Sequence, residues 1–353
     1  MRLVITGAAG MVGSHAAAYF AQQGHEVVAF DALIRSTLTG TRHPSVEYNW
    51  RRLQQLPRVQ CLQGDIRRLN ELQQAFQQPL DVVIHAAAQP GIGFSLQHPL
   101  DDFDINARGT LHVLEGVRQY APKAAVIYCS TNKVYGTNVE QFPVRELATR
   151  YAFADGFLGV PETCSTDLTG HTPYGVSKLA GELYVQDYAQ TYGLRTAVFR
   201  MSCIYGEHQF GFEDQGWIAH FMISTVLQRP LTIYGDGKQV RDILYVGDLV
   251  RAFDAWLQSP SRHGVYNVGG GPERTLSLLE LLAWLRQATG ATPTLTHQPW
   301  RPKDQRVYIS DLRTIKRELH WQPMVSVQEG LSRLLTWVRA HRELYAIQSE
   351  NIP

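Results

Sequence analysis

The sequence predicts an α/β protein, a doubly wound parallel sheet with a smaller α/β C-terminal part. Three observations predict it. A short apolar strand, Leu3-Val4-Ile5, runs directly into Gly7-Ala8-Ala9-Gly10-Met11-Val12-Gly13 and an alanine-rich helix to about Gln23. Continuous apolar strands then alternate with amphipathic helices, the pattern of a parallel sheet covered on both faces. Finally, the residues with useful chemistry collect just after the strands, on the rim where such sheets bind ligands.

Taken in order, glycines at 7, 10 and 13 allow a tight turn, a close approach of backbone to a diphosphate, and helix–strand packing, with the helix N-terminus facing the negative charge. A second strand, Glu26-Val27-Val28-Ala29-Phe30, ends in Asp31, an acid placed to meet the adenosine ribose hydroxyls of NAD. Arg35 follows closely and leaves NADP open. Val59-Gln60-Cys61-Leu62 leads to Gly64-Asp65-Ile66, Asp81-Val82-Val83-Ile84-His85 to Ala86-Ala87-Ala88-Gln89, and Ala124-Ala125-Val126-Ile127-Tyr128-Cys129 to Ser130-Thr131. Beyond Arg200 the alternation loosens. Asp214-Gln215-Gly216-Trp217 opens a helix, Leu231 to Gly237 reads as strand and turn, and helices are expected at about 247–257, 277–288 and 326–339. The expected division is 1–200 for the dinucleotide-binding domain and 201–353 for the substrate region, with some later segments returning to the main sheet.

Composition limits the function. A formal net charge of +1 gives no reason to expect nucleic acid or an acidic membrane surface. No apolar run reaches the length of a membrane span. The N-terminus begins with the strand and glycine turn, so no signal peptide is expected. Cys61, Cys129, Cys164 and Cys203 are widely spaced and form neither a metal-ligand cluster nor a disulfide framework. The expectation is a soluble, cytoplasmic protein with no metal, in which Cys129 and Cys203 are core thiols.

Thr172-Pro173-Tyr174-Gly175-Val176-Ser177-Lys178 opens a long helix running to about Tyr192. Tyr174 and Lys178 lie four residues apart and so share one helical face. A phenol ordinarily ionises near pH ~10. A cation held beside it lowers that value and makes the phenol a proton acceptor for an alcohol or sugar hydroxyl. His15 is read as locally paired or solvent-facing, His85 as a structural core histidine, and Trp217 as either pocket wall or core.

Together these motifs resemble the extended short-chain dehydrogenase/reductase superfamily: GxxGxxG at 7–13, the acid at 31, Gly64-Asp65-Ile66-Arg67, His85-Ala86-Ala87-Ala88, Asn106-Ala107-Arg108-Gly109-Thr110, Ser130-Thr131, and YxxxK at 174–178. The resemblance covers nearly the whole chain. It implies a Rossmann-type sheet and a tightly held NAD that accepts a hydride and returns it. The implied catalytic residues are Thr131, Tyr174 and Lys178. The implied cofactor contacts are Gly7, Gly10, Met11, Val12, Gly13, Asp31, Asp65, Ile66, Ala86, Ala87, Ala88, Asn106, Tyr174 and Lys178.

After Thr131, the 4,6-dehydratases of this superfamily carry an Asp-Glu pair as extra acid and base. This chain has Asn132 and Lys133, which cannot perform that carboxyl chemistry. The string Ser130-Thr131-Asn132-Lys133-Val134-Tyr135-Gly136 is similar to the CDP-paratose (CDP-tyvelose) 2-epimerases, as are Tyr205-Gly206 with Gln209-Phe210, Asp214 to Trp217, Gly235 to Asp242, and Asp304 to Val307. Gln89-Pro90-Gly91-Ile92-Gly93 and the loop from Ala152 to Thr169 depart from that pattern. The resemblance implies a nucleoside diphosphate sugar as substrate, met by Thr131, Asn132, Lys133, Gln209, Arg241 and Arg301. Arg241 and Arg301 would bind phosphate oxygens through paired donors, or would pair with Asp242 and Asp304 as surface ion pairs. Oxidation at C2 is implied by the resemblance alone. A UDP-sugar 4-epimerase, a net reductase or dehydrogenase, and a non-catalytic NAD sensor remain alternatives. The helices 100–119 and 172–192 are expected to form a homodimer interface, again by resemblance.

Overall fold

The computed structural model describes residues 1–39, 44–154, 156–301 and 303–346. Its centre is a seven-stranded sheet. In spatial order the strands are His263–Val268, Arg195–Met201, Ala125–Thr131, Val82–His85, Arg2–Thr6, Glu26–Asp31 and Val59–Gln63. Every neighbouring pair is parallel. Strand order reverses on either side of Arg2–Thr6, so the carboxyl ends of Arg2–Thr6 and Val82–His85 flank the crevice where such sheets take their ligands.

The central strands are buried on both faces. Ala125–Thr131 is buried along its full length. One apolar cluster, with Ile5, Phe20, Ile127, Phe199 and Trp256, fills the layer under the helices Met11–Gln22 and Val246–Gln258. A second, with Val4, Phe30, Val83, Leu114, Val126 and Val185, fills the other under Gly109–Tyr120 and Pro173–Tyr192. Each Leu, Ile or Val side chain fully removed from water contributes ~1.5–3 kcal/mol, and these two layers hold the glycine turn and the Tyr174 helix in fixed relation.

The segment 99–120 is one path with a break in its regularity. Pro99–Phe103 passes through a π-helical turn, Asp104–Arg108, before Gly109–Tyr120 resumes as α-helix. The sequence had predicted one helix over 100–119. The π turn buries Ile105, Asn106 and Ala107, and such turns occur often at functional sites.

The later residues build a second unit over the sheet's carboxyl rim. Val240–Tyr245 pairs with Cys203–Tyr205, Thr275–Ser277 and Val307–Tyr308, while Leu231–Tyr234 pairs with Leu295–Gln298. Its core joins Trp217–Val226, Leu278–Thr289 and Val327–Ala340 through Phe221, Leu281, Leu334 and Trp337. The chain does not leave the first unit for good at Arg200, because His263–Val268 returns as the outer strand beside Arg195–Met201. Among the described residues no helix is long and apolar enough to cross a membrane.

Candidate active site

A cavity of about 860 Å³ lies along the carboxyl ends of the strands. The glycine turn forms one wall. Gly7 has φ +69°, and a Cβ there would stand 2.5 Å from the Ala87 nitrogen; a Cβ on Gly13 would stand 2.2 Å from the Gly7 carbonyl oxygen. Only bare backbone fits at both positions. The turn therefore brings the N-terminus of the Met11–Gln22 helix to the cavity, and Gly7, Gly10, Met11, Val12 and Gly13 all line it.

Asp31 ends its strand on the same wall. Its carboxylate accepts the Ala9 amide at 2.9 Å and the Leu33 amide at 2.8 Å. Burial pushes its pKa up, and those two amides work against the rise. Asp65 lines the cavity next to Ile66. Burial acts to raise Asp65, but the Arg67 guanidinium, 2.6 Å away, holds it below the usual carboxylate value. Ala86, Ala87 and Ala88 form the floor.

The helix Pro173–Tyr192 presents the proton-transfer pair. Thr172 caps it, its hydroxyl accepting the Gly175 amide at 3.3 Å; Pro173 occupies the first turn, where its missing N–H costs nothing, and Gly193 ends it at φ +70°. Tyr174 and Lys178 both face the cavity. Thr131, at the end of the fully buried central strand, stands close enough to the Tyr174 hydroxyl to favour its ionised form. Its Oγ1 also accepts the Lys133 amide at 3.2 Å, which fixes its rotamer.

Lys178 is 2% exposed. Its ammonium sits 4.2 Å above the Tyr128 ring centre and makes no hydrogen bond to any described residue. Burial lowers its pKa to about 8. In the protein alone burial pushes Tyr174 up to about 12, nearby Thr131 opposes the rise, and Asp102 and Cys129 add to it. The Lys178 ammonium is directed at the Tyr128 ring.

Asn106 occupies a different place from the one expected. It is fully buried, and its amide is taken up by the Gln89 carbonyl at 3.0 Å, Asp102 at 3.1 Å and Ser177 at 3.1 Å, while its oxygen accepts the Gln89 amide at 2.9 Å. It braces the cavity wall from behind and is not among the residues lining the cavity.

On the far side, Asn132 is buried next to Thr131, and Lys133 is half-buried close to Arg241, Asp304 and Cys203. Arg241 pairs with Asp304 at 2.6 Å. Asp242, the alternative partner, is turned away and receives the Gly271 and Ser310 amides, each at 3.1 Å. Among the described residues Arg241 alone forms an ion pair with Asp304, and Lys133 lies near enough to feel both charges. Arg301 lies 4.1 Å over the Tyr234 ring and faces Asp214 at 3.5 Å. Gln209 lines the cavity and leaves its buried Oε1 without a hydrogen-bond partner. Trp217 donates to the Cys203 sulfur at 3.4 Å and packs on Phe221, so it belongs to the second unit's core. Cys129 is buried yet lines the cavity.

Residues 208–212, 214 and 215 form a strap that lines the cavity from above; of these the sequence assigned a substrate role to Gln209 alone, and the contacts that seat the strap were missed. Arg35 crosses from the opposite wall, donating to the Gln215 side chain at 2.5 Å, with its guanidinium 5.2 Å from the Phe212 ring centre. Gly93 approaches so closely that a Cβ would lie 2.5 Å from an Asp214 oxygen. Asn49, also missed, is fully buried and donates to the Ala9 carbonyl of the glycine turn at 3.0 Å. No sequence signal marks these contacts, which join segments far apart in the chain. Buried Arg200, by contrast, is a structural partner, held by Glu182 through two nitrogens and by the Tyr135 hydroxyl at 3.1 Å.

The NAD dependent epimerase/dehydratase family matches residues 3–269. The chain is 39% identical over 345 residues to a CDP-paratose 2-epimerase from Salmonella typhi, covering 96% of this chain and 99% of that protein. It is 28% identical to a UDP-glucuronate 4-epimerase from Thermodesulfobacterium geofontis, covering 97% of each. A solved UDP-glucose 4-epimerase from Thermus thermophilus, in complex with NAD, superposes with a TM-score of 0.79 at 29% identity, covering 97% of this chain and all of that one. With its glycine turn, strand-end acid and Thr131–Tyr174–Lys178 arrangement, this chain belongs to the NAD dependent epimerase/dehydratase family.

Proposed function

We propose that this protein is an NAD-dependent nucleotide-sugar epimerase of the CDP-paratose/CDP-tyvelose 2-epimerase type. The observation that carries the reading is the sequence Thr131-Asn132-Lys133. Thr131 and the proton-transfer pair Tyr174 and Lys178 are all present, yet the acid pair needed for water elimination is replaced by an amide and an ammonium. The 39% identity to a CDP-paratose 2-epimerase over nearly the whole chain supports the same assignment.

The cavity fits a dinucleotide. Gly7 and Gly13 leave a cradle that any Cβ would fill, Asp31 stands at the strand end, and the Lys178 ammonium is buried without a hydrogen bond to any described residue. In this reading Gly7, Gly10 and Gly13 meet the diphosphate, Asp31 the adenosine ribose, Asp65 and Ile66 the adenine, and Lys178 the nicotinamide ribose. Bound there, NAD would supply a reversible hydride acceptor.

Thr131 and Tyr174 bind the reacting hydroxyl. Tyr174 would take its proton as the ring C–H bond breaks to give a keto-sugar, and would give the proton back once the sugar had turned over and the C–H bond re-formed on the opposite face. No electrons or atoms are gained or lost overall. Arg241, Lys133 and Arg301 supply positive charge for the substrate diphosphate, and Asn132 and Gln209 supply polar contacts to the sugar. Arg35 is committed to Gln215 and Phe212, which favours NAD over NADP and closes the cavity over a cofactor the protein keeps. The protein is expected to work in the cytoplasm as a homodimer, in a carbohydrate-building route.

A UDP-sugar 4-epimerase is the second reading, favoured by the full-length likeness to the Thermus thermophilus enzyme. Proton NMR of the purified protein with CDP-, UDP-, GDP- and dTDP-sugars, without added cofactor, decides between them. A new anomeric signal at constant sugar mass is expected, with couplings that place the inversion at C2; inversion at C4 selects the second reading. Tyr174→Phe is expected to give no new signal while still copurifying with NAD. Conversion only with stoichiometric NAD or NADH would mean a net oxidoreductase and would overturn both readings.

A further inference from the structure

Asp102 is fully buried at the end of Pro99–Phe103, just before the π-helical turn. Among the described residues it takes part in no ion pair; its partners are neutral. One oxygen accepts the Ser177 hydroxyl at 2.5 Å. The other accepts the Gln89 amide nitrogen at 3.2 Å and that of Asn106 at 3.1 Å. A buried carboxylate without a salt-bridge partner is costly to keep, and an asparagine of the same shape would avoid that cost.

The position of its partners gives a reason for the carboxylate. Ser177 lies on the helical turn between Tyr174 and Lys178, and its hydroxyl also stands 3.1 Å from the Tyr174 carbonyl. Gln89 closes the cavity floor that begins at Ala86, and its side chain is bonded through both ends to the Gly91 backbone. Asp102 therefore joins the helix that presents the proton-transfer pair to the wall on which the sugar ring would turn.

We propose that Asp102 is a positioning residue for the epimerisation: through Ser177 it fixes the turn carrying Tyr174 and Lys178, and through Gln89 it locks that turn to the cavity wall. This rests on the reading of Tyr174 as the proton-transfer residue. Its charge has a second effect, because a negative group here opposes formation of the Tyr174 phenolate and favours the Lys178 ammonium. Burial raises Asp102 itself to about 6, with Ser177 and Lys178 acting against the rise. The other titratable groups around this point are Tyr128 and Cys129 on the central strand, His85 at the end of Val82–His85, Glu182 one turn beyond Lys178, and His98, Asp101 and Asp104 on its own segment; Gln89, Asn106 and Ser177 are neutral.

The test uses the full-length protein with its bound NAD, labelled with ¹³C at the tyrosine ζ carbon, with the Tyr174 signal assigned by its loss in Tyr174→Phe. In Asp102→Asn the alkaline titration of Tyr174 is expected to begin at least about 0.5 pH unit lower than in the unaltered protein, because an opposing charge has gone. With a sugar that turns over, kcat should fall about tenfold, KM should stay within about twofold, and the acid limb of the kcat–pH profile should move down with the titration. Ser177→Ala keeps the charge and removes the bond, so kcat should fall about fivefold or more with the Tyr174 titration unmoved.

Tyr174 titrating from the same pH in Asp102→Asn as in the unaltered protein would overturn the electrostatic part, and unchanged turnover in Ser177→Ala would overturn the positioning part. Should Asp102→Asn fail to fold, Ser177→Ala still decides the positioning claim. A moved titration in a protein that epimerises none of the sugars would leave this coupling standing and remove the proposed function instead.

Discussion

At the scale of single residues, His85 shows how a buried histidine with a proton relay around it can be purely structural. Its Nδ1 meets the Thr6 hydroxyl at 2.7 Å and its Nε2 meets the Thr110 hydroxyl at 3.0 Å. Thr110 spends its own proton on the Asn106 carbonyl at 2.6 Å, so it accepts from His85, and Nδ1 accepts from Thr6. Burial, with Lys178 nearby, lowers the pKa to about 3. The unfolded chain therefore takes up a proton below pH ~6.5 that the folded protein refuses. This contribution to stability is complete above pH ~6.5 and is lost as pH falls toward the folded value, amounting to about 2 kcal/mol at pH 5. His85→Gln is expected to lower Tm at pH 7.5 but to narrow the gap to the unaltered protein at pH 5. Parallel Tm–pH curves would contradict the assignment. The same residue scale adds desolvation to the reading of Tyr174. The i, i+4 spacing placed it beside Lys178, but spacing carries no information on desolvation, which dominates in the fold.

At the scale of elements, the glycine turn was fully legible. Its three glycines, the strand before it and the helix after it are all sequence signals, and the structure adds the contact distances that make them obligatory. Gly13→Ala would set a methyl group 2.2 Å from the Gly7 carbonyl. The turn must open to admit it, at a cost of about 1–3 kcal/mol. Retention of NAD through gel filtration is expected to fall at least tenfold relative to the unaltered protein, with near-native far-UV circular dichroism. Full retention would show that the turn tolerates the methyl group. The helix Pro173–Tyr192 was read from the sequence with nearly its observed bounds, and the structure adds the Thr172 cap, the first-turn proline and the terminal Gly193. The π turn at Asp104–Arg108 was not, since hydrogen-bond slippage within a helix depends on what the segment packs against, here the Gln89 wall and the 173–192 helix.

At the scale of the whole molecule, the helix Pro173–Tyr192 buries Lys178, Glu182 and Val185 on one side and exposes Val176, Leu183, Tyr184 and Tyr192 on the other. Leu100 and Phe103 stand exposed on the neighbouring 99–103 helix. An apolar face of this kind fits a second copy of the chain. Sedimentation velocity is expected to find a dimer, and Val176→Glu with Leu183→Glu should convert it to monomer while leaving bound NAD in place. A monomer at tens of micromolar before any substitution would remove the dimer.

What the sequence determined by itself follows from local rules. Apolar runs make strands, glycines permit the turn, amphipathic periodicity marks the helices, and motif order places the chemistry at the sheet's carboxyl rim. The i, i+4 spacing of Tyr174 and Lys178 and the placement of Asp31 needed only neighbouring residues, and the resemblance gave Asn132 and Lys133 their meaning as replacements of the dehydratase acids. The tertiary structure alone decided which distant groups complete the site. Arg35 reaching Gln215, Asp102 bonding Ser177, Asn49 holding the Ala9 carbonyl, and the strand His263–Val268 returning to the sheet all join segments dozens of residues apart or more. Such contacts depend on burial and packing, which are set by the whole fold and leave no periodicity or spacing in the chain to read.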